Sequence, residues 1–230
     1  EEAVRTSLLA ALIGLVIIAL FMIVVYRIPG LASVLALIIY TCLIVICLNI
    51  FELTLTLPGI AGIILSIGMA VDANVIIFAR IREEITVGKT VRNAIDTGFQ
   101  KALSAIVDGN VTTLIAALVL GIKGSGTVKG FAYTLGLGIV LSMFTALFVT
   151  RQILKAFFAV GLKDVKYYGT NKEKGTVNFL SKKNIFFGCS IAVIVLGFVF
   201  MGINGATTGK VLNYSLDFVG GTSTNVTFNE

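Results

Sequence analysis

The sequence predicts an all-α polytopic membrane helix bundle, with the start of an extracytoplasmic α+β domain at its C-terminal end. Three observations carry this. The chain is 57% hydrophobic and only 13% charged, whereas soluble domains are about 45–50% apolar and about 25% charged. The apolar residues fall in six runs, each close to the ~20 residues needed to cross ~30 Å of hydrocarbon. The charged residues cluster between those runs, and most of the 18 Lys and Arg side chains fall on one side of the resulting topology.

The predicted spans cover residues 6–26, 31–51, 58–79, 105–122, 131–150 and 185–203. Arg27-Ile28-Pro29-Gly30 reads as a tight turn between the first two. Glu52 to Pro58 is a short loop, and Pro58 suits the first turn of the helix that follows. Lys123 to Lys129, rich in glycine, is the loop after the fourth span. Arg27, the run from Arg80 to Lys101 and the run from Arg151 to Lys183 share one side, while Arg5, Lys123, Lys129 and Lys210 share the other. The side rich in Lys and Arg is expected to be cytoplasmic, which puts both termini outside.

Three polar stretches complete the plan. Val91, Ala94, Ile95, Gly98, Phe99, Ala102, Leu103 and Ile106 recur at helical spacing, with Arg92, Asp96 and Gln100 in a row on another face. This predicts an amphipathic interfacial helix near 88–104, within a membrane region spanning 1–160. Residues 161–184 are polar and basic and are expected to be a cytoplasmic linker. Beyond the span at 185–203, residues 204–230 are expected to begin a truncated extracytoplasmic domain, because 211–228 reads as two strands about a Gly-Gly turn. A two-stranded hairpin is marginal alone, and the chain begins Glu1-Glu2-Ala3 without an initiator Met; a fragment of a longer protein is expected.

Composition excludes several functions. With most of the positive charge on one side of a membrane, the net charge of +6 is a topology signal, and no nucleic-acid partner is expected. There is no histidine, and Cys42, Cys47 and Cys189 sit in apolar runs without metal-ligand spacing, so no metal is predicted. No nucleophile–base constellation points to an enzyme. Gly121, Gly124, Gly126 and Gly130 lack the spacing and the preceding strand of a phosphate loop.

The residue that stands out is Asp72, a carboxylate inside the apolar stretch from Ile60 to Ala79. Charge at that depth costs at least ~2.5 kcal/mol. At 1.5 Å per residue Asp72 lies ~21 Å from Pro58, roughly 6 Å past the midplane. A carboxyl that is neutral when dry and ionised when wetted is the minimal part of a proton-coupled machine; the competing role is an inter-helix hydrogen bond that locks packing. Asn74 points about 200° away on the helix and is a candidate for bonding a neighbouring helix. Gly62 and Gly68, with Gly59, Ala61 and Ala70, thin this helix for close approach. Asp108 and Asn110 open the fourth span, where an acid suits a helix N-terminus. Asn110 and Thr113 share a deeper face and are possible partners for Asp72 in a proton relay. Arg80 and Arg82 read as topology anchors.

Taken together, these segments resemble the SecD/SecF protein-export membrane protein family of the resistance-nodulation-division superfamily. Leu55 to Gly62, Gly68 to Phe78 and Arg80 to Glu84 look like the SecD signature, and Asp108 to Leu114 and Val128 to Ala132 look like further SecD segments. Asn178 to Phe187 and Leu216 to Thr222 are similar to the start of SecF. The order implies a fused SecDF fragment, with five SecD-like spans within 1–160 and a SecF-like first span at 185–203. The resemblance implies a proton-motive-force-driven accessory of Sec-dependent export across the bacterial cytoplasmic membrane. Its partners would be the Sec translocation channel, its accessory membrane proteins, the translocating preprotein and the lipid bilayer. It would use a proton gradient and no bound cofactor. Asp72 matches the carboxylate the family assigns to the proton pathway, while Ala79 departs from a usual Glu. The alternatives are a small-molecule or lipid exporter of the same superfamily and a structural scaffold for the channel.

Overall fold

The computed structural model describes residues 2–53, 55–169, 180–209 and 211–212. Eight α-helices follow one another there: α1 (Glu2–Tyr26), α2 (Ile28–Ile50), α3 (Leu57–Thr86), α4 (Val91–Lys123), α5 (Thr127–Phe144), α6 (Thr150–Val160), α7 (Val165–Tyr168) and α8 (Lys183–Thr208). A π-helical turn, Thr145–Val149, joins α5 to α6, and a 3₁₀ turn, Leu180–Lys182, precedes α8. Six helical stretches are long and apolar enough to cross a membrane, so the all-α bundle is as the sequence predicts. The predicted strands at 211–228 lie, apart from two residues, outside the described part of the chain.

Arg27 alone separates α1 from α2, with φ 56 and ψ −119. That backbone region is rarely open to a residue with a Cβ. The next helix start is better capped: Thr56 Oγ1 accepts the Gly59 amide at 3.1 Å, and Pro58 occupies the first turn of α3. Within the unit formed by residues 1–172, α3 is the central element, packed against α4 and α5. Two close approaches define that packing. A Cβ on Gly98 would lie 2.5 Å from Ile81 Cγ1, and one on Gly138 would lie 2.3 Å from Ser66 Oγ. Ser66 in turn accepts a hydrogen bond from Tyr40 at 2.7 Å, tying α2 to α3 at the same level as α5.

The structure alters two expectations. Residues 88–104 do not form a separate interfacial helix: from Val91 they are the first half of α4, continuous with the span. Their apolar face is covered by α3, which itself runs seven residues past the predicted end at 79, and Ile77, Phe78, Ile81 and Ile85 share a core with Val91, Ile95, Phe99 and Ile106. An amphipathic stripe needs an apolar partner, and here protein supplies it. Second, the linker expected over 161–184 begins with a docked segment. Tyr168 is fully buried, donates to the Leu162 carbonyl at 3.1 Å, and belongs to the same core.

The second unit begins at Glu173 and contains α8, an apolar helix of 26 residues.

Candidate functional site

The site centres on α3. Its buried face includes Gly59, Gly62, Ser66, Ala70, Ala73, Asn74 and Ile77, while Ala61, Ile64, Leu65, Gly68 and Asp72 form an exposed stripe. Asp72 therefore lies on the open face of the central helix. Its carboxylate has no hydrogen-bond or ion-pair partner among the described residues.

The expected companions behave differently. Asn74 is buried, as its 200° offset requires, but its Nδ2 donates to the Ala70 carbonyl of its own helix at 3.1 Å rather than to a neighbour. Asn110 is buried and donates to the Ile106 carbonyl at 2.7 Å, and Thr113 donates to the Gly109 carbonyl at 3.3 Å. Neither is hydrogen-bonded to Asp72. The Oδ1 atoms of Asn74 and Asn110 have no hydrogen-bond partner among the described residues. Gly62 makes the close approach expected of it, since a Cβ there would lie 2.6 Å from Thr134 Oγ1 on α5. Gly68 has nothing within 4 Å and sits on the open stripe beside Asp72.

Asp108 also changes its reading. Because α4 starts at Val91, Asp108 is in mid-helix and gains nothing from a helix N-terminus. It is exposed and accepts a hydrogen bond from Ser104 at 3.2 Å. The Ile81–Gly98 crossing fixes its height. Asp72 is nine residues before Ile81 and Asp108 ten residues after Gly98 on the antiparallel neighbour. At ~1.5 Å per residue both lie about 14–15 Å from the crossing in the same direction. Two carboxylates thus occupy one level on the exposed faces of adjacent helices.

Ionic clusters occupy the basic end of the bundle, and the row Arg92–Asp96–Gln100 does not describe them. Asp96 pairs with Arg151 at 2.8 Å and Lys155 at 3.0 Å, joining α4 to α6. Glu84 is held by Lys89 and Lys101, each at 2.6 Å, across the turn between α3 and α4. Arg80 pairs with Glu83 at 2.7 Å. Arg82 does more than anchor topology: its Nε donates to the Tyr168 carbonyl at 3.2 Å, its Nη2 donates to the Val25 carbonyl, and its guanidinium lies 4.5 Å from the Tyr26 ring centre. Sequence reading missed the Asp96 and Arg82 pairings because they join segments far apart in the chain, and it did not single out the local pairs Arg80–Glu83 and Glu84–Lys89. The only signal was Tyr168 itself, an aromatic residue within a basic stretch. The described residues contain no group of His, Cys, Asp and Glu that could hold a metal.

A bundle of long apolar helices around a central helix that exposes one acid within its apolar stretch defines a polytopic membrane protein. Comparison with known proteins gives the family. Residues 1–159 match the family model described as protein export membrane protein SecD/SecF, C-terminal. The chain is 52% identical over 154 residues to protein translocase subunit SecD of Synechocystis, covering 67% of this chain and 33% of that protein. It is 53% identical over 156 residues to the SecD subunit of Acidaminococcus fermentans, covering 68% of this chain and 37% of the relative. Among solved structures it superimposes on SecDF from Thermus thermophilus, described as a translocon-associated membrane protein, with a TM-score of 0.81 and 34% identity, covering 95% of this chain and 29% of that one. SecDF in a super-membrane-facing form matches with a TM-score of 0.79 and 34% identity, covering 94% and 28%. The chain belongs to the SecD/SecF family, and spans about a third of the length of the curated relatives it matches.

Proposed function

We propose that this chain is the membrane part of a proton-motive-force-driven accessory of Sec-dependent protein export, with Asp72 as the proton-carrying carboxylate. The observation that carries the reading is the position of Asp72: an acid on a helix long and apolar enough to span a membrane, on an open face, without a partner among the described residues. An intramembrane carboxylate kept only for packing would be expected to bond a neighbouring helix, and this one does not. The work expected of the site is to take up a proton when water reaches the open face of α3 and to lose its charge when that face is covered. The difference in solvation between the two states couples protonation to helix movement.

In this reading the cover is the second half of the family plan, the SecF-like helices, which bring the complementary charge. The SecF-like first span at 185–203 begins that half. The basic end of the bundle faces the cytoplasm, both ends of the chain face outside, and the Sec channel with its accessory subunits and the emerging preprotein are the partners. The experiment is export into inverted membrane vesicles carrying the full-length protein with Asp72→Asn. Loss of the gradient-dependent part of export at unchanged protein level supports the reading. Export that still responds to the gradient refutes it, and would favour a scaffold role.

A further inference from the structure

We propose that Arg27, Arg82 and Lys166 form a binding site for the headgroup phosphate of an anionic phospholipid, in the leaflet at the basic end of the bundle. The three cations line one cavity of about 510 Å³, together with Val24, Val25 and Val165, and no carboxylate among the described residues lines it. Of the nearby acids, Glu83 pairs with Arg80 and Glu84 with Lys89 and Lys101, while Asp164, next to Val165, is exposed and does not line the cavity. Arg27 and Arg82 are close enough to repel each other. Their hydrogen bonds go to neutral carbonyls, those of Lys166, Tyr168 and Val25, which satisfy donors without cancelling charge. A guanidinium carries five donors in a planar fork, so both side chains keep donors for phosphate oxygens.

Two further features fit a lipid rather than a free anion. Arg27 directly follows the apolar span Arg5–Tyr26, which sets the cavity at the depth of the headgroups. Below it, Ile17, Leu20, Phe21 and Val24 expose an apolar stripe along α1, on which an acyl chain can lie. Basic pockets between spanning helices on the side rich in Lys and Arg take acidic headgroups by this combination. The backbone at Arg27 shows the same emphasis: a conformation suited to glycine is occupied by arginine.

That conformation also supplies a clean variant, because Arg27→Gly removes the cation while relieving the backbone. The test is native mass spectrometry of the detergent-solubilised chain offered phosphatidylglycerol, phosphatidylcholine or inorganic phosphate alone. A retained phosphatidylglycerol adduct is expected, with phosphatidylcholine and free phosphate both weak. Arg27→Gly and Lys166→Gln should each weaken it about fivefold, while Lys123→Gln with Lys129→Gln, at the opposite end, should leave it unchanged. Salt should weaken the adduct in the parent chain, a readout that needs no variant. Equal retention of phosphatidylcholine, tight binding of phosphate alone, or full retention by both single variants would overturn the proposal.

Discussion

Ile81 on α3 occupies the space that any side chain on Gly98 of α4 would need, its Cγ1 lying 2.5 Å and its backbone nitrogen 3.0 Å from a Cβ built there. This contact sets the register of the two helices that carry Asp72 and Asp108. Gly98→Ala should therefore destabilise the bundle. Overpacking costs typically about 1–3 kcal/mol, and the backbone atom in the clash cannot rotate away. Exchanging Gly for Ala within a helix returns up to ~1 kcal/mol, so a net loss is expected. Gly68→Ala is the control: nothing lies within 4 Å, and it should be neutral or stabilising. Thermal unfolding of the two variants in one detergent checks the contrast.

Gly138 should be less tolerant still, since an added Cβ meets both Ser66 Oγ at 2.3 Å and Ser66 Cβ at 2.4 Å. Tyr40→Phe, which only removes the 2.7 Å hydrogen bond to Ser66, should cost about 0.6 kcal/mol, the usual size of such bonds in membranes. A Gly138→Ala variant as stable as Tyr40→Phe would show that α5 does not approach α3 as closely as described.

The spans were legible in the sequence because bilayer-crossing runs announce themselves by hydropathy. Their ends were not. α3 continues to Thr86 and α4 starts at Val91, in stretches where apolar residues such as Ile81, Ile85 and Ile95 face protein while Arg80, Glu83 and Arg92 are exposed. A hydropathy window reports only the part that is apolar all round. Within the membrane the difficulty reverses. Lipid and protein are both apolar, so periodicity does not say which face of α3 is packed; Gly62 and Gly68 look alike in sequence and fall on opposite sides. Asp72 was legible as an exceptional residue, and its lack of a partner was not, because that depends on which helices surround it.

The ion pairs at the basic end hold α6 to α4. Asp96→Asn removes the acid shared by Arg151 and Lys155. All three side chains are about two-fifths exposed, so the loss should be modest, about 0.5–1 kcal/mol. It should appear as faster amide exchange confined to residues 150–160, and should shrink as salt is added to the parent protein.

Tyr168 gives a pH signature. Burial pushes its phenol from 10.0 up to about 12. The folded state then holds this proton more tightly than the released segment does. Its contribution to docking is complete below pH ~10 and declines as pH rises through about 12. Ultraviolet phenolate absorbance, taken as the difference between the parent protein and Tyr168→Phe, should show this phenol ionising through about 12 rather than near 10.0. A difference titration centred near 10.0 would show that Tyr168 is not buried as described, and Tyr168→Ala should raise tryptic cleavage at Lys163 and Lys166 at neutral pH.

The central claim is that Asp72 carries the proton. The most direct measurement is proton flux into proteoliposomes containing the full-length protein, with an imposed gradient and an entrapped pH dye, comparing the parent with Asp72→Asn and Asp72→Glu. The account predicts flux in the parent, none above background in Asp72→Asn, and partial recovery in Asp72→Glu, with equal incorporation of all three. Parent-level flux through Asp72→Asn would contradict it.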